Sequence, residues 1–277
     1  MIRELKIGMK LYGDINPHNF KVIALVDTQP GTGNSPLPKT FLPTIVFDHH
    51  PLRASSRKVF YTDIRPHYGS TCTILTEYIK VAGIALDKKT ATALLYGIKT
   101  DTENLGRHVT QPDIDAFLEL FPIIDVKKLY KIEHPKYPRS YFKVLSAALA
   151  RAKIYGDAII VDIGGIPSPD MTSQIADTFS CVSGINWCLV LGEYESDVYF
   201  SLRTSKRTGK VERIALKMVK GVGSAGGHHM TGGGKAPAFL ETGESTKGYL
   251  VSRFLSICKL DNLEPKNLVP KKVFSGD

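Results

Sequence analysis

The stretch Pro43-Thr44-Ile45-Val46-Phe47-Asp48-His49-His50 decides how this chain folds. Its first half is a short, continuous apolar run, the pattern of a parallel strand covered on both faces. Its second half places a carboxyl and two imidazoles at that strand's carboxyl end. Three adjacent ionisable groups after an apolar strand would be costly to bury without a ligand, so the strand reads as one that delivers chemistry. Val22-Ile23-Ala24-Leu25-Val26, ending in Asp27, is a second run of the same kind. Between the two, residues 29–38 are too rich in Gly, Pro and Asn to be regular.

Working outward, Ser70 or Thr71 is placed to cap a helix running through Ile74, Leu75, Tyr78 and Ile79, with Gly69 freeing its entry. Residues 89–98 predict a second helix closing near Lys99-Thr100-Asp101, and Gln111-Pro112-Asp113 opens a third with proline in its first turn. Strands alternating with helices predict an α/β domain over 1–136, doubly wound on a mainly parallel sheet. Ligands in such a domain sit beyond the carboxyl ends of the strands. Tyr137-Pro138-Arg139 opens a helix over about 140–153, which reads as a connector at 137–151. Beyond it, 158–162 begins a strand, 187–191 and 198–203 flank a polar turn as a β-hairpin, and 211–219 and 246–259 read as helices. These make a second, smaller α/β domain with a mixed sheet over 152–277, and a cleft between the two domains.

Composition narrows the function. A chain of 277 residues with 43% hydrophobic content can bury one large core or two small ones. No apolar stretch approaches the length of a bilayer span, and Met1-Ile2-Arg3-Glu4-Leu5-Lys6 has no secretory segment, so the chain reads as soluble and cytoplasmic. Cys72, Cys181, Cys188 and Cys258 are scattered, with no Cys-x-x-Cys pair. They read as buried small hydrophobes in a reducing compartment, not as a disulfide framework or a cysteine zinc site. The net charge of +9 favours polyanionic partners such as a nucleotide, a short nucleic acid or polyphosphate, or else serves solubility. No basic block reads as a nucleic-acid arm: the densest cluster, 203–213, mixes its charges with Thr, Ser and Gly, and no groove-reading motif stands out.

Asp27, Asp48, His49, His50 and Asp101 fall at or near element ends. Carboxylate plus imidazole is the ligand set of manganese, iron or zinc. Two such metals roughly 3.5–4 Å apart can clamp the attacking and leaving oxygens of a phosphate displacement. Taken alone, Asp27 reads equally well as a turn cap, and Asp101-Thr102 as ordinary loop chemistry. In the second half, Gly223, Gly226, Gly227, Gly232, Gly233 and Gly234 crowd around His228, with Lys235 beside them. Glycine lets backbone N–H groups approach an anion closely, so this stretch reads as an anion nest or as a flexible loop. Arg203-Thr204 at a strand end offers a planar fork for a phosphate, or is an exposed hairpin arginine.

Taken in order, these pieces resemble the DHH superfamily of phosphoesterases, in the branch with a DHH-associated C-terminal domain. Its members include nanoRNA and linear-dinucleotide phosphodiesterases, single-strand exonucleases and exopolyphosphatase-related proteins. Val26-Asp27-Thr28 resembles the second family motif, Asp48-His49-His50 the third, and Gly97-Ile98-Lys99-Thr100-Asp101-Thr102 the fourth. Leu202-Arg203-Thr204, and Gly226-Gly227-His228 with Gly232-Gly233, resemble the C-terminal signature. The resemblance implies a two-manganese (Mn2+) hydrolase of small phosphorylated substrates, with its active site in the interdomain cleft. It implies that Asp27 bridges the metals, that His49 and Asp101 complete one of them, and that Asp48 orients His49 from behind. His50 would face the scissile phosphate or leaving group. Arg203, Thr204, Gly226, Gly227 and His228 would bind the substrate, and activated water would attack phosphorus in line.

The family's first motif, His-x-Asp-x-Asp, lies upstream of the second and supplies ligands to both metals. Nothing between Met1 and Asp27 fits it: His18 is followed by Asn19 and Phe20, and Asp14 stands alone. The chain is therefore expected to begin inside the DHH domain. It is either a fragment or late start of a longer working enzyme, or a naturally shortened, catalytically impaired relative acting as a nucleotide- or phosphate-binding module. By itself it is expected to bind manganese feebly and to hydrolyse little. Its uncovered sheet is expected to meet another copy of the chain or a missing N-terminal segment.

Overall fold

The computed structural model describes residues 1–32, 35, 37–38, 40–206, 210–228, 230–240 and 242–270, with the backbone alone at His228. The chain divides into two units, Met1–Lys136 and Tyr137–Asp277, and its fold class is α/β with both units carrying sheet and helices.

In the first unit a one-turn helix, α1 (Ile2–Leu5), precedes three strands, β1 (Ala24–Val26), β2 (Ile45–Asp48) and β3 (Tyr61–Ile64). All are parallel, in the order β1-β2-β3, with Val26 opposite Phe47 and Asp48 opposite Ile64. The two apolar runs form β1 and β2. The third strand, Tyr61-Thr62-Asp63-Ile64, is half polar and has no apolar run to announce it. Val46 is fully buried at the middle of the sheet, against Leu25 and Val59. β1 forms one edge, where Val22 and Val26 are exposed. Parallel neighbours need long returns, usually helical. The return from β2 to β3 holds only a 3-10 turn, Ala54–Lys58. The return from β1 to β2 is pinned by buried Gln29, whose amide donates to Asp48 Oδ2 at 2.7 Å and to the Pro51 carbonyl at 3.1 Å. Its Oε1 accepts from the Arg53 amide and the Ser56 hydroxyl, both at 2.8 Å.

Four helices follow: α2 (Thr71–Val81), α3 (Lys88–Asp101), α4 (Gln111–Leu120) and α5 (Val126–Glu133). Each opens on a polar side chain that satisfies amides the helix cannot reach. Ser70 accepts from Cys72 N at 3.1 Å, Asp87 from Thr90 N at 2.7 Å and Asp125 from Lys128 N at 3.0 Å. At α4, buried Asp113 takes the amide and hydroxyl of Thr110. Leu94, Leu95 and Ile98 of α3 pack with Ala116 and Leu120 of α4 and Leu129 of α5.

The second unit runs α6 (Arg139–Arg151), β4 (Lys153–Tyr155), β5 (Ala158–Gly165), α7 (Asp170–Phe179), β6 (Trp187–Tyr194), β7 (Asp197–Thr204), α8 (Val211–Met218), β8 (Ser224–His228), β9 (Thr231–Pro237), α9 (Thr246–Cys258) and β10 (Lys266–Asn267). Among the described residues its strands form one mixed sheet, β10-β4-β5-β6-β7-β9-β8, in which β5 and β6 are parallel and the other neighbours antiparallel. The two central strands are apolar on both faces because both are covered. Ile159, Val161, Ile163, Cys188 and Val190 pack with α6 and α7, while Ile160, Trp187, Leu189 and Leu191 pack with α8 and α9.

Among the described residues the mixed sheet of the second unit has seven strands and the parallel sheet of the first has three. Three expectations are corrected here. The helix read as a connector is part of the second unit's core, burying Tyr141 and Ala148 against β5. Cys181 is exposed, and of the four free thiols only Cys188 is fully buried. The glycine cluster is an antiparallel hairpin, not a nest or loop: Gly226 pairs with Gly233 and Gly227 with Gly232. Glycine is needed there for close approach. A Cβ on Gly232 would stand 2.6 Å from Cγ1 of Val211 on α8, and one on Gly233 would stand 2.8 Å from the Phe200 carbonyl of β7. No helix among the described residues is long and apolar enough to cross a membrane.

Candidate metal centre

Parallel pairing puts the ends of β1 and β2 side by side, and the Asp27 amide continues the ladder by donating to the Phe47 carbonyl at 2.9 Å. Asp27 itself is left-handed, with φ of 60°, which turns the chain sharply out of the strand. Asp48 is the last residue of β2, and His49 and His50 follow it out of the strand. Asp48 pairs with His50, while Nδ1 of His49 takes a separate partner. Asp48, 1% exposed, pairs its Oδ1 with Nδ1 of His50 at 2.7 Å and with the His50 amide at 3.2 Å. The expected support of His49 by Asp48 is thus replaced by support of His50, two residues further on. Burial pushes the Asp48 carboxyl up, but the His50 ring, the Gln29 amide and the His50 backbone outweigh it, and its pKa is lowered. The hydrogen bond to Asp48 raises His50 against the opposing effect of burial, and the charges of Asp48, Asp27 and Asp101 raise it further.

Nδ1 of His49 lies 3.2 Å from the carbonyl oxygen of Tyr68. A carbonyl can only accept, so Nδ1 is the donor and Nε2 is left free to ligate. That Nε2 stands 3.5 Å from Oδ1 of Asp27, and His50 Nδ1 stands 3.9 Å from the same oxygen. Asp27, His49 and His50 can each offer one ligand atom within 4.8 Å of the others.

Segment 65–71, from the end of β3 into the first residue of α2, touches Asp27, Asp48, His49 and Asp101. The Arg65 amide donates to the Asp48 carbonyl at 2.9 Å, and the Tyr68 carbonyl receives His49. The Ser70 hydroxyl donates to Oδ2 of Asp101 and the Thr71 hydroxyl to Oδ1 of Asp27, at 2.7 and 2.8 Å. Gly69 lies against Asp113, which accepts its amide at 2.9 Å; a Cβ there would meet Asp113 Oδ2 and Thr102 Cγ2, both at 2.7 Å. Asp101, the last residue of α3, accepts from Ser70 and its charge acts on His50, but it is not one of the three clustered ligands. Gln29, Tyr68, Thr71 and Asp113 were not legible as site residues. Only the run Gly69-Ser70-Thr71, read as a helix entry, pointed toward them.

A cavity of about 400 Å³ in the first unit, lined by Tyr96, Lys99, Thr100, Asn104, Glu133 and His134, holds none of these residues. Lys99 and Glu133, two of its lining residues, form an ion pair.

In the second unit Arg203, near the end of β7, donates from Nε to Asp177 Oδ1 at 2.7 Å and from Nη1 to the Leu202 carbonyl at 3.2 Å. Buried Thr204 donates to the Asn186 carbonyl at 2.8 Å. Lys235, expected to add charge beside the glycines, pairs with Asp197 at 2.7 Å. Gly226 and Gly227 lie in β8, and the side chain of His228 lies outside the described residues.

The donor chemistry fits a divalent cation. A ligating imidazole whose other nitrogen donates to a backbone carbonyl, beside a carboxylate, is the arrangement metal sites use. With Nδ1 of His49 donating to Tyr68, Asp27 Oδ1 and His49 Nε2 face each other as two acceptors 3.5 Å apart, a place that a metal can fill in competition with a proton.

No family model matches the chain. It is 32% identical over 236 residues to uncharacterized protein MJ1633 of Methanocaldococcus jannaschii, a match covering 83% of this chain and 47% of that protein. The chain thus spans about half the length of the curated relative it matches. A crystal structure of an exopolyphosphatase-related protein from Bacteroides fragilis is similar, with a TM-score of 0.64 and 18% identity, over 78% of this chain and 64% of that one. A pGpG-specific phosphodiesterase from Vibrio cholerae aligns over 92% of this chain and 93% of its own, at 11% identity and a TM-score of 0.40, too low to establish a shared fold. The two-unit α/β fold described above is therefore one this chain shares with the exopolyphosphatase-related protein of Bacteroides fragilis.

Proposed function

We propose that this chain is a metal-dependent phosphoesterase of small phosphorylated substrates, such as short oligonucleotides, linear dinucleotides or polyphosphate. The observation that carries the reading is the facing pair of acceptors, Asp27 Oδ1 and His49 Nε2, 3.5 Å apart with His50 beside them. The name of the exopolyphosphatase-related protein of Bacteroides fragilis, whose fold is similar, agrees with it. Asp27 and His49 would hold the cation, manganese by preference, with Asp101 brought in by a short movement of Ser70. A bound cation would supply charge to a phosphate oxygen and acidity to a water. Asp48 holds the His50 ring and its proton in place, where the ring can donate to a leaving or non-bridging oxygen. Arg203 would grip a substrate phosphate, which would displace the exposed carboxylate of Asp177. Thr204, Gly226, Gly227 and His228 of the second unit would join Arg203 in binding substrate. Four free thiols support a reducing, cytoplasmic setting.

A second reading is a nucleotide- or phosphate-binding module that no longer cuts. It is favoured by the single group of three ligands among the described residues, which is too few for two tight metals. Incubation of the chain with manganese and, in turn, short RNA, a linear dinucleotide and polyphosphate separates the two readings. Turnover that disappears in His49→Ala supports the enzyme. Saturable binding without turnover supports the module, and neither turnover nor binding removes both.

A further inference from the structure

We infer that Arg65 and Glu77 are positioning residues, acting through Tyr68 to fix which nitrogen of His49 faces Asp27. The inference rests on the reading of Asp27 and His49 as cation ligands. Two backbone hydrogen bonds and one from a side chain make a closed circuit. The Arg65 amide donates to the Asp48 carbonyl at 2.9 Å, the Tyr68 amide donates to the Arg65 carbonyl at 3.0 Å, and the Tyr68 carbonyl takes Nδ1 of His49. The position of that carbonyl therefore decides the tautomer of His49.

Side chains then hold Tyr68 from two elements at once. Its hydroxyl accepts from Arg65 Nη1 at 3.0 Å and donates to Oε1 of Glu77, on α2, at 2.9 Å. The Arg65 guanidinium also lies 5.0 Å over the Tyr68 ring. Arg65 in turn is gripped by both oxygens of Asp63 on β3, at 2.8 and 2.6 Å, and by Glu77 Oε2 at 2.5 Å. A guanidinium with both its edges engaged is a rigid post. If the cluster only tied β3 to α2, the Arg65–Asp63 and Arg65–Glu77 pairs would suffice. The tyrosine hydroxyl, threaded between Arg65 and Glu77, carries the restraint on to the carbonyl that faces His49.

The test reads the ring nitrogens of His49 directly. In the metal-free protein at pH 8.5, two-bond and three-bond proton–nitrogen NMR correlations report the tautomer, and the His49 signals are assigned by their absence in His49→Ala. Wild type should show the Nδ1–H form alone. Tyr68→Phe, which deletes only a hydroxyl, should introduce the Nε2–H form. It should also weaken manganese binding by calorimetry about 10-fold, the low end of what loss of such support costs. Glu77→Gln, a second mild variant, should act in the same direction. Unchanged tautomer populations in both variants, with lowered melting temperature alone, would overturn the inference and leave the cluster a simple brace. A tautomer shift in a chain that binds no manganese would uphold the inference while removing only the cation reading.

Discussion

The hydroxyl of Thr71 donates to Oδ1 of Asp27 at 2.8 Å, and that oxygen is the one standing 3.5 Å from Nε2 of His49. A donor thus holds the oxygen from one side, while its other side faces an acceptor. Thr71→Val keeps the shape of this buried residue and deletes the donor. Manganese affinity should fall about 10-fold, with about 1 kcal/mol lost from stability. Paired calorimetry and denaturant unfolding check both. Unchanged affinity would mean that the backbone alone sets Asp27.

Asp113 should behave as a keystone of the first unit. It is fully buried, and its carboxylate takes the Gly69 amide, the Thr110 amide and hydroxyl, and the Thr73 hydroxyl at 2.5 Å. Asp113→Ala strands those donors. A loss of about 2–4 kcal/mol is expected in urea unfolding.

The Asp63 carboxyl titrates below its ordinary range because Arg65 hydrogen-bonds to it, against the effect of burial and with help from the Tyr78 hydroxyl. A depressed carboxylate stabilises the fold fully above its unfolded pKa and loses that contribution as pH falls through the folded value. The stability gap between wild type and Asp63→Asn should therefore be level above about pH 5 and close below about pH 4. Urea titrations across that range check the sign, and a gap that widened in acid would contradict it.

The glycine hairpin should act through packing. A Cβ on Gly227 would stand 2.5 Å from the Thr231 carbonyl and 2.6 Å from Cα of Gly232, with backbone on both sides and nothing to rotate away. Gly227→Ala should cost about 1–3 kcal/mol by forcing β8 from β9. Thermal unfolding without any ligand reads it. A nest would instead lose anion affinity while keeping its stability.

Thiol chemistry should separate the four cysteines. Burial pushes Cys72 and Cys188 up to about 12 and Cys258 to about 11, with the charge of Asp101 adding to Cys72. Cys181 is exposed. A disulfide reagent at pH 8 should label Cys181 rapidly, half-buried Cys72 and Cys258 slowly, and Cys188 only on unfolding.

The elements with a strong local signal were readable. The apolar runs became β1 and β2, the Ser70 entry capped α2, and the 187–203 hairpin formed, longer than expected at both ends. What stayed hidden depends on long-range contacts. β3 is half polar because its Asp63 serves a network with Arg65 and Tyr78, so its composition resembles a loop. The glycines were ambiguous because local sequence records their small size, not what they pack against. In the site, Asp27, His49 and His50 were nameable from their place at strand ends. Their supports, Thr71, Tyr68 and Gln29, lie 19 to 44 residues away in sequence, and only the fold brings them close.

The left-handed backbone at Asp27 limits what can replace it. Asparagine and glycine enter that conformation readily, whereas alanine would add on the order of 1–2 kcal/mol of strain and a β-branched residue more. A descendant that gave up chemistry at this position could drift to asparagine or glycine with its architecture intact. For the same reason, Asp27→Asn is the control that silences the carboxylate without bending the chain.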